Sequence, residues 1–333
     1  ALPTAMTSSV KERSGFMTVG TVGGSLAAAL ATVFLVPYAE NNGYLKAAII
    51  VAVVSFLAMS LISLFGKERY KVKEEVLEKP ASLRDTWEYL IHNKYLLYFY
   101  AYRMISGSIA VSMLIYVAKY CLGDVKYMSM VVAISVIPIC ILFLFSGKIF
   151  KRFDKIVVYR FCMIATILMN AITLFVGYQN RTLAIACLVV IAVLAILPSI
   201  LMGAIPQDCV EYGTYKTETR KEGITFALQT FANKLTAAVA TIITGGVLTF
   251  VGYDVAAEKA ATEAHKVVEI AVSQATVSGM WKASFIVPII GQLLAIGFLF
   301  AYNLRDKDVQ IMSDCNAGKI TKAEAEALLS RKY

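Results

Sequence analysis

The chain has 333 residues, of which 58% are hydrophobic and 17% are charged. Soluble domains carry about 25% charged residues, so this composition excludes an ordinary soluble domain and indicates a membrane protein. The net charge of +9 does not require a nucleic-acid partner, because membrane chains collect Lys and Arg in the loops on one side. The six cysteines are scattered singly, and this spacing predicts neither a zinc site nor a redox site.

Eight apolar stretches follow one another along the chain, and each is long enough to cross a bilayer as a helix. None of them alternates in the manner of a barrel strand. The sequence therefore predicts an all-α polytopic membrane protein with eight transmembrane helices. The predicted spans are residues 17–38, 45–65, 95–120, 127–147, 161–178, 183–206, 223–252 and 280–302.

The distribution of basic residues predicts the orientation of these spans. If the first residues lie in the cytoplasm and the chain then alternates sides, most Lys and Arg of the connecting segments fall inside. The inverted orientation would oppose the positive-inside bias. We therefore expect both ends of this chain to lie in the cytoplasm. The membrane that holds the protein is expected to be the inner or plasma membrane of the cell.

The connecting segments divide the chain into four predicted parts. Residues 1–66 hold two spans, and the charged residues 67–94 form a cytoplasmic loop with a short amphipathic helix over 83–91. Residues 95–303 hold the other six spans, and 304–333 form a cytoplasmic tail. Six spans after a charged central loop are typical of the second half of a transporter whose two halves enclose a site at the middle of the membrane.

Arg103 lies within the third predicted span, beside Tyr102 and Ser106. An arginine at this depth either lines a polar cavity, pairs inside the protein or extends its charge to the membrane surface. The sequence alone does not choose between these alternatives.

A dense polar block separates the spans 183–206 and 223–252. It combines the acids Asp208, Glu211, Glu218 and Glu222 with the bases Lys216, Arg220 and Lys221, and it also contains Tyr212. We interpret this loop as a cytoplasmic gate whose ion pairs break and reform as two helix bundles move. The alternative is a solvated loop, since exposed ion pairs contribute only about 0–1 kcal/mol.

The span 223–252 has one polar side when drawn as a helix. Gln229, Thr230, Asn233 and Lys234 share about half of its circumference with four threonines, whereas leucine, isoleucine and phenylalanine occupy the other half. Amides, hydroxyls and an ammonium group suit a sugar with many hydroxyl groups. We therefore interpret this side as the wall of a substrate cavity; the alternative is that Lys234 pairs with a carboxylate to fix packing.

Two further soluble segments follow this span. Residues 254–279 are rich in alanine and acids and predict a helix on the outer surface. In the tail, Thr321 and Glu324 have the spacing of a capping box, which predicts the start of a short helix.

The polar block also carries a family resemblance. Its ordered residues are Asp208, Glu211, Tyr212, Gly213, Tyr215, Lys216, Thr217, Arg220, Glu222 and Gly223. This series resembles the signature of the glycoside–pentoside–hexuronide:cation symporter family, the melibiose-carrier branch of the major facilitator superfamily. Gln229, Thr230 and Lys234 fit the family pattern of the next helix. The start of the chain, from Pro3 to Arg13, is similar to the family's loop between its fourth and fifth helices.

The resemblance implies a major-facilitator helix bundle in which the eight spans correspond to helices five to twelve. It implies secondary active transport of a sugar or glycoside together with a monovalent cation, Na⁺ or H⁺, by alternating access. The carboxylates that the family uses for the cation and for the sugar hydroxyls lie on its first, second and fourth helices, so the chain is expected to be an N-terminally truncated fragment without them. No other cofactor is expected.

Two positions depart from the melibiose carrier: Thr21 stands for a sugar-binding arginine, and Ser199 for an aromatic residue.

Two other functions are compatible with a polytopic chain. A membrane enzyme predicts a His, Asp or Cys cluster at the end of a span, and the sequence has no such cluster. A sensor that does not transport would use the central loop and the tail to hold a soluble partner. The expected partners of a carrier are the lipid bilayer, a small sugar or glycoside and the coupling cation, with no nucleic acid.

Overall fold

The structure is a computed structural model. The residues that it describes are 23–24, 27–28, 30–65, 83–111, 113–218, 221–254, 272–331 and 333. Every regular element in these ranges is helical, which confirms the all-α prediction for this part of the chain. Much of the central loop and of the segment 254–279, as well as Thr21 and Arg220, lies outside the described residues.

The described helices are numbered α1 to α13 in chain order. A π-helical turn over Ala31–Leu35 precedes α1, and another over Val117–Leu122 continues α5. The helices are α1 (Val36–Asn42), α2 (Tyr44–Phe65), α3 (Leu83–His92), α4 (Lys94–Ser108), α5 (Leu114–Tyr116), α6 (Lys126–Arg152), α7 (Lys155–Val176), α8 (Arg181–Leu194), α9 (Ile196–Thr217), α10 (Glu222–Phe250), α11 (Gln274–Ala301), α12 (Asp306–Asn316) and α13 (Lys322–Leu328).

Six stretches of helix in the described residues are long and apolar enough to cross a membrane. They are α2, α6, α7, α10, α11 and the pair formed by α8 and α9, and they match six of the eight predicted spans. The chain is therefore a multi-pass membrane protein. Of the other two predicted spans, 17–38 begins before the described residues, and 95–120 is broken between α4 and α5.

The pair α8 and α9 is longer than a bilayer requires. It runs from Arg181 to Thr217 over 37 residues, which corresponds to roughly 55 Å at 1.5 Å per residue, against a hydrocarbon core of about 30 Å. Its last turns therefore have room to extend beyond the lipid. The prediction that the polar block is a loop is wrong as far as Thr217, because these residues continue α9. The chain leaves the helix at Glu218, whose φ of 56° is left-handed.

Two clusters of buried side chains hold the helices together. One cluster lies at the end of the bundle where α4, α7 and α10 begin and where α9 and α11 end. The tail helices α12 and α13 also pack at this end, which we call the tail-side end. The centre of this cluster includes Tyr95, Tyr212 and Met312. The second cluster lies at the opposite end of the same helices and includes Met113, Trp281 and Phe285. Between the two clusters, α4 packs against both α10 and α11.

Asn93 fixes the start of α4 at the tail-side end. Its side-chain oxygen accepts a hydrogen bond from the Leu96 amide at 3.2 Å, and its amide donates to the Cys209 carbonyl at 2.7 Å. The first bond caps α4, since the first turn of a helix has unpaired N–H groups. The second bond ties that cap to α9. The central-loop helix predicted over 83–91 is confirmed as α3, and the capping box at Thr321 and Glu324 is confirmed at the start of α13.

Candidate functional site

The chain leaves helical geometry in the middle of the third predicted span. Ile109, Ala110, Val111 and Met113 lie outside any helix, between α4 and α5. Gly291 of α11 packs against this break so closely that a Cβ atom added to it would lie 2.8 Å from Cβ of Ile109. Irregular backbone at membrane depth is tolerated where it is buried in protein or lines a cavity.

A cavity of about 490 Å³ lies beside the break. Its wall comes from α4, α7, α9, α10 and α11, together with Ala195 between α8 and α9. Pockets of 300–1,000 Å³ are typical of small-molecule sites. The polar residues that line it are Tyr102, Arg103, Ser106, Tyr159, Ser199, Asn233, Thr236 and Gln292.

Two buried polar atoms at this cavity have no hydrogen-bond partner among the described residues. They are Nε of Arg103 and Oε1 of Gln292. Leaving a buried polar group unpaired is costly, and most such groups in folded proteins are satisfied. A donor and an acceptor that are both left open in one cavity indicate a place where a ligand or water completes the hydrogen bonds.

The structure separates the five predicted substrate-binding residues. Arg103 and Asn233 line the cavity. Gln229 lies just outside it and donates to the carbonyl of Met202, a lining residue, at 3.0 Å. Thr230 and Lys234 are exposed on α10 and are not among the residues that line the cavity. The substrate-binding role of all five remains a prediction.

Asp208, one of the predicted gate residues, forms an ion pair at the tail-side end. Nζ of Lys155, at the start of α7, lies 2.6 Å from one carboxylate oxygen of Asp208 and 2.7 Å from the other. The same Nζ lies 3.6 Å from Asp306, whose carboxylate also accepts the Lys155 backbone amide at 3.0 Å. Lys155 therefore joins α7, α9 and α12. Burial raises the pKa of Asp306, and the nearby Lys155 opposes that effect.

Three other predicted gate residues contact the tail. The amide of Asn316 donates to the Glu211 carboxylate at 2.9 Å. The Tyr212 ring packs edge-on against Tyr333 of the tail, with 6.2 Å between ring centres, and against Tyr95 of α4, with 4.8 Å. Lys216 donates to the backbone carbonyl of Tyr333. Of the remaining two, Glu222 is the exposed first residue of α10, and Arg220 lies outside the described residues.

One buried carboxylate, that of Asp308 on α12, holds Ser330 and Tyr333 near the end of the tail against the first helix of the tail. Asp308 is 1% exposed, and it accepts hydrogen bonds from Ser330 and Tyr333 at 2.5 Å each, as well as from the Ser330 amide at 2.9 Å. Burial acts to raise the pKa of Asp308, but these hydrogen bonds outweigh it and hold the pKa below its usual value. Burial also raises the pKa of the Tyr333 hydroxyl, to about 12.

Replacing Asp308 with asparagine should loosen the tail. We expect the contact of α12 with Ser330 and Tyr333 to lose about 2 kcal/mol, because hydrogen bonds to a charged group contribute about 1.5–3 kcal/mol. We also expect faster tryptic cleavage at Lys319 and Lys322, which lie between these parts of the tail. The folded pKa of Asp308 lies below its unfolded value of about 3.9, so its contribution is complete above about pH 5 and is lost as the pH falls through the folded pKa.

Asp314→Asn is the matched control for this prediction, because Asp314 lies on the same helix. It pairs at 2.9 Å with Lys319, whose side chain is largely exposed, and such pairs contribute little. Equal cleavage rates in Asp308→Asn and Asp314→Asn would show that Asp308 does not hold the tail.

A surface groove of about 640 Å³ also lies at the tail-side end, between the end of α9 and α13. Lys216, Lys322 and Arg331 are its basic residues, and none of the unpaired buried polar atoms of the described residues belongs to its lining. The described residues also contain no group of three His, Cys, Asp or Glu side chains that could hold a metal ion. The cavity beside the α4 break is therefore the candidate site.

Sequence reasoning did not select several residues of these clusters. Gln292 is an amide in the middle of an apolar span, which is the signal that should have marked it. Lys155 lies in the segment between the predicted spans 127–147 and 161–178, and Asp306 and Asp308 lie in the predicted tail. Their burial depends on how the tail folds back. Gly291 had no distinguishing signal, because several other glycines lie in apolar spans.

Comparison with known proteins identifies the family. A family profile described as MFS/sugar transport protein matches residues 1–306. A protein of Escherichia coli K12 named as a sulfoquinovose importer is 26% identical over 316 residues, which cover 92% of this chain and 64% of that protein. A Salmonella typhimurium protein named as a 2,3-dihydroxypropane-1-sulfonate exporter is 26% identical over 335 residues, or 96% of this chain and 69% of that protein.

A third relative is an uncharacterised symporter of Bacillus subtilis, 27% identical over 263 residues that cover 76% of this chain and 56% of that protein. The chain thus spans a little under two thirds of the length of the sulfoquinovose importer. The profile match covers nearly all of the chain and includes the α4 break, the cavity and the polar block. The chain therefore belongs to the MFS/sugar transport protein family.

Proposed function

We propose that the full-length protein is a secondary active transporter that moves a sugar or glycoside together with a monovalent cation. The observation that carries this proposal is the cavity beside the α4 break, where a donor and an acceptor are buried without hydrogen-bond partners among the described residues. The family assignment supports transport. The names importer, exporter and symporter among the relatives favour it over the membrane enzyme considered from the sequence.

The architecture that we propose is a major-facilitator bundle in which this chain supplies helices five to twelve. Residues 1–66 would then belong to the N-terminal half, 67–94 to the central loop, 95–303 to the C-terminal half and 304–333 to the tail. In support, α4 and α5 together cover the third predicted span, and the broken helix lines a cavity, which is how transporters of this kind build sites near the membrane midplane.

We propose that Arg103, Asn233 and Gln229 contact the substrate from the C-terminal half. Thr230 and Lys234 are proposed to face the other half across the transport pathway. Their exposure supports this assignment, because an ammonium group facing lipid at this depth would be costly. The carboxylates that bind the coupling cation, Na⁺ or H⁺, would lie on helices that precede this chain.

The tail-side end is proposed to face the cytoplasm of a cell whose inner or plasma membrane holds the protein. The bias of Lys and Arg toward the connecting segments at this end supports the orientation. In this arrangement Asp208, Glu211, Tyr212, Lys216, Arg220 and Glu222 form a cytoplasmic gate. Four of these residues contact α7, α4 or the tail: Asp208, Glu211, Tyr212 and Lys216. These contacts support a role in holding this end closed.

Counterflow in proteoliposomes tests the proposed function. The full-length protein is reconstituted with a panel of unlabelled sugars inside, and uptake of the labelled sugar is followed with and without a Na⁺ or a H⁺ gradient. A carrier exchanges the sugar without any gradient and accumulates it with one. A sensor that does not transport would bind a sugar yet show no counterflow, and that result would remove transport as the function.

Lys234→Ala in the full-length protein should abolish sugar accumulation while expression and folding persist. The physical reason is that a cation facing the pathway donates hydrogen bonds that hydroxyl groups accept, and alanine offers none. Lys282→Ala is the matched control, since Lys282 is an exposed lysine only two residues inside the predicted span 280–302, where its long side chain can reach the membrane surface. Accumulation that remains normal in Lys234→Ala would remove Lys234 from the site.

A further inference from the structure

We propose that α3 lies in the membrane surface at the tail-side end, with Trp87 and Ile91 inserted among the lipid headgroups. The sequence analysis assigned residues 67–94 to a cytoplasmic loop, and the proposed contact gives part of that loop a lipid partner. The observation behind it is the exposure of Trp87 and Ile91, which are 64% and 52% exposed on one side of α3. The contact would not depend on the transport function proposed above.

The described side chains of α3 divide into an apolar, a polar and a buried side. Trp87 and Ile91 are one turn apart, so they lie within about 40° of each other around the helix. Glu88 and His92 are exposed on the neighbouring side, and Tyr89 is buried at 3% exposure. A short helix with an exposed apolar side next to a charged side is typical of helices that lie in the membrane interface.

Tyr89 fixes the depth of α3 relative to the transmembrane helices. Its hydroxyl group lies 3.3 Å from that of Thr225, which belongs to α10 and to the predicted span 223–252. The Thr225 carbonyl accepts a hydrogen bond at 2.7 Å from Tyr100, in the second turn of α4. Tyr89 therefore reaches the level at which α4 and α10 are already within their spans, so α3 lies close to the membrane surface.

The junction between α3 and α4 indicates the same depth. α3 ends at His92, and the predicted span 95–120 begins three residues later. Gly213 of α9 allows the junction to pack closely, because a Cβ atom added there would lie 2.8 Å from both the Tyr89 hydroxyl and the Asn93 amide nitrogen. Ile91 is thus about one helical turn from the start of a span, and Trp is enriched at this boundary between lipid and water.

The charges of α3 favour apolar insertion over attraction to anionic lipids. Surface helices that bind anionic lipids are rich in Lys and Arg. α3 instead carries one base and two acids, namely Arg84, Asp85 and Glu88. Arg84 also pairs with Glu88 at 3.0 Å. We therefore expect a membrane of neutral phosphatidylcholine to be sufficient for insertion.

Spin labels along α3 of the full-length protein test this contact. Cysteine replaces Trp87, Ile91, Glu88 or His92 one at a time, and each labelled variant is reconstituted into phosphatidylcholine vesicles with and without phosphatidylglycerol. The accessibility of each label to oxygen and to a nickel chelate gives its depth, calibrated with lipids labelled at known depths. The protein without an introduced cysteine measures background labelling, since all six cysteines of this chain are buried or half-buried.

We expect the labels at positions 87 and 91 to lie about 5–10 Å inside the membrane surface, in both kinds of vesicle, and those at 88 and 92 to face water. Trp87→Ser should move the label at position 91 toward water. Arg84→Ser is the matched control and should leave that label in place, because its exposed ion pair contributes little. Thermal unfolding of each labelled variant shows that the labels report the folded protein.

Three results would overturn the proposed contact. Ready access of the nickel chelate to all four positions would show that α3 is solvated. Low accessibility to both reagents at positions 87 and 91 would show that this side packs against protein, such as the other half of the transporter. Insertion that required phosphatidylglycerol would show that charge, and not apolar contact, holds the helix in the membrane.

Discussion

Alanine in place of Gly291 is expected to lower the free energy of unfolding by about 3 kcal/mol, at the upper end of what overpacking usually costs. The added Cβ would meet the carbonyl oxygen of Ile109 well inside contact distance and would lie 2.8 Å from Cβ of Ile109. The obstacle is backbone rather than the end of a flexible side chain, so either α4 or α11 must shift. The measurement is thermal or denaturant unfolding of the purified full-length protein.

Gly297→Ala is the matched control for this substitution. Gly297 lies on α11 less than two turns further on and is exposed, and a Cβ added there meets nothing within 4 Å. Because alanine favours helices over glycine by about 0.5–1 kcal/mol, Gly297→Ala should be neutral or stabilising. If Gly291→Ala were as stable as Gly297→Ala, the close packing of α11 on the α4 break would be wrong.

Gly291→Ala should also weaken substrate binding. Arg103 and Ser106 lie within two turns of Ile109 on α4, and both line the cavity. A shift of the break would move them relative to Gln292, the neighbour of Gly291 on α11. Positioning errors of about 1 Å can cost 100-fold in function, so we expect weaker sugar binding even at temperatures where Gly291→Ala is folded.

The sequence predicted the long helices well for a simple physical reason. A bilayer demands about 20 apolar residues in a row, and this demand marks α2, α6, α7, α10 and α11 unmistakably. The break after Ser108 was missed because Ile109, Ala110, Val111 and Met113 are as apolar as any helical span. The small residues Ser106, Gly107 and Ser108 were the only local hint, and small residues equally suit close helix packing.

The candidate site was predicted only in part. Lys234 was selected because a lysine in hydrocarbon is conspicuous, but hydropathy does not show which side of a helix meets a cavity. The sequence leaves Arg103 open between three roles, and the burial of its Nε at the same cavity as Gln292 depends on how α4 and α11 pack. The sequence predicts a loop over the polar block because charged residues usually end a span, whereas α9 continues to Thr217.

Asparagine in place of Asp208 should be the most damaging change at the tail-side end. We expect a loss of about 3 kcal/mol in unfolding free energy, because removing one partner leaves the other charge buried. The side chains of Lys155 and Asp208 are only 22% and 13% exposed, and with Asp208 gone Lys155 retains Asp306 at 3.6 Å. Asp314→Asn, which breaks a largely exposed pair, should change stability by less than about 1 kcal/mol.

The double variant Lys155→Met with Asp208→Leu separates packing from gating. Replacing both charges by apolar side chains of similar size is often neutral or stabilising, so we expect part of the lost stability to return. The return is incomplete because Asp306 loses its ion pair with Lys155 and keeps the hydrogen bond from the backbone amide of residue 155. If Asp208 belongs to a gate whose ion pairs must break and reform in each cycle, the stable double variant should still fail in counterflow, since an apolar contact cannot be exchanged for a hydrated open state at the same cost. If counterflow recovered together with stability, the pair would be a permanent structural contact between α7 and α9, and the gate would have to lie elsewhere.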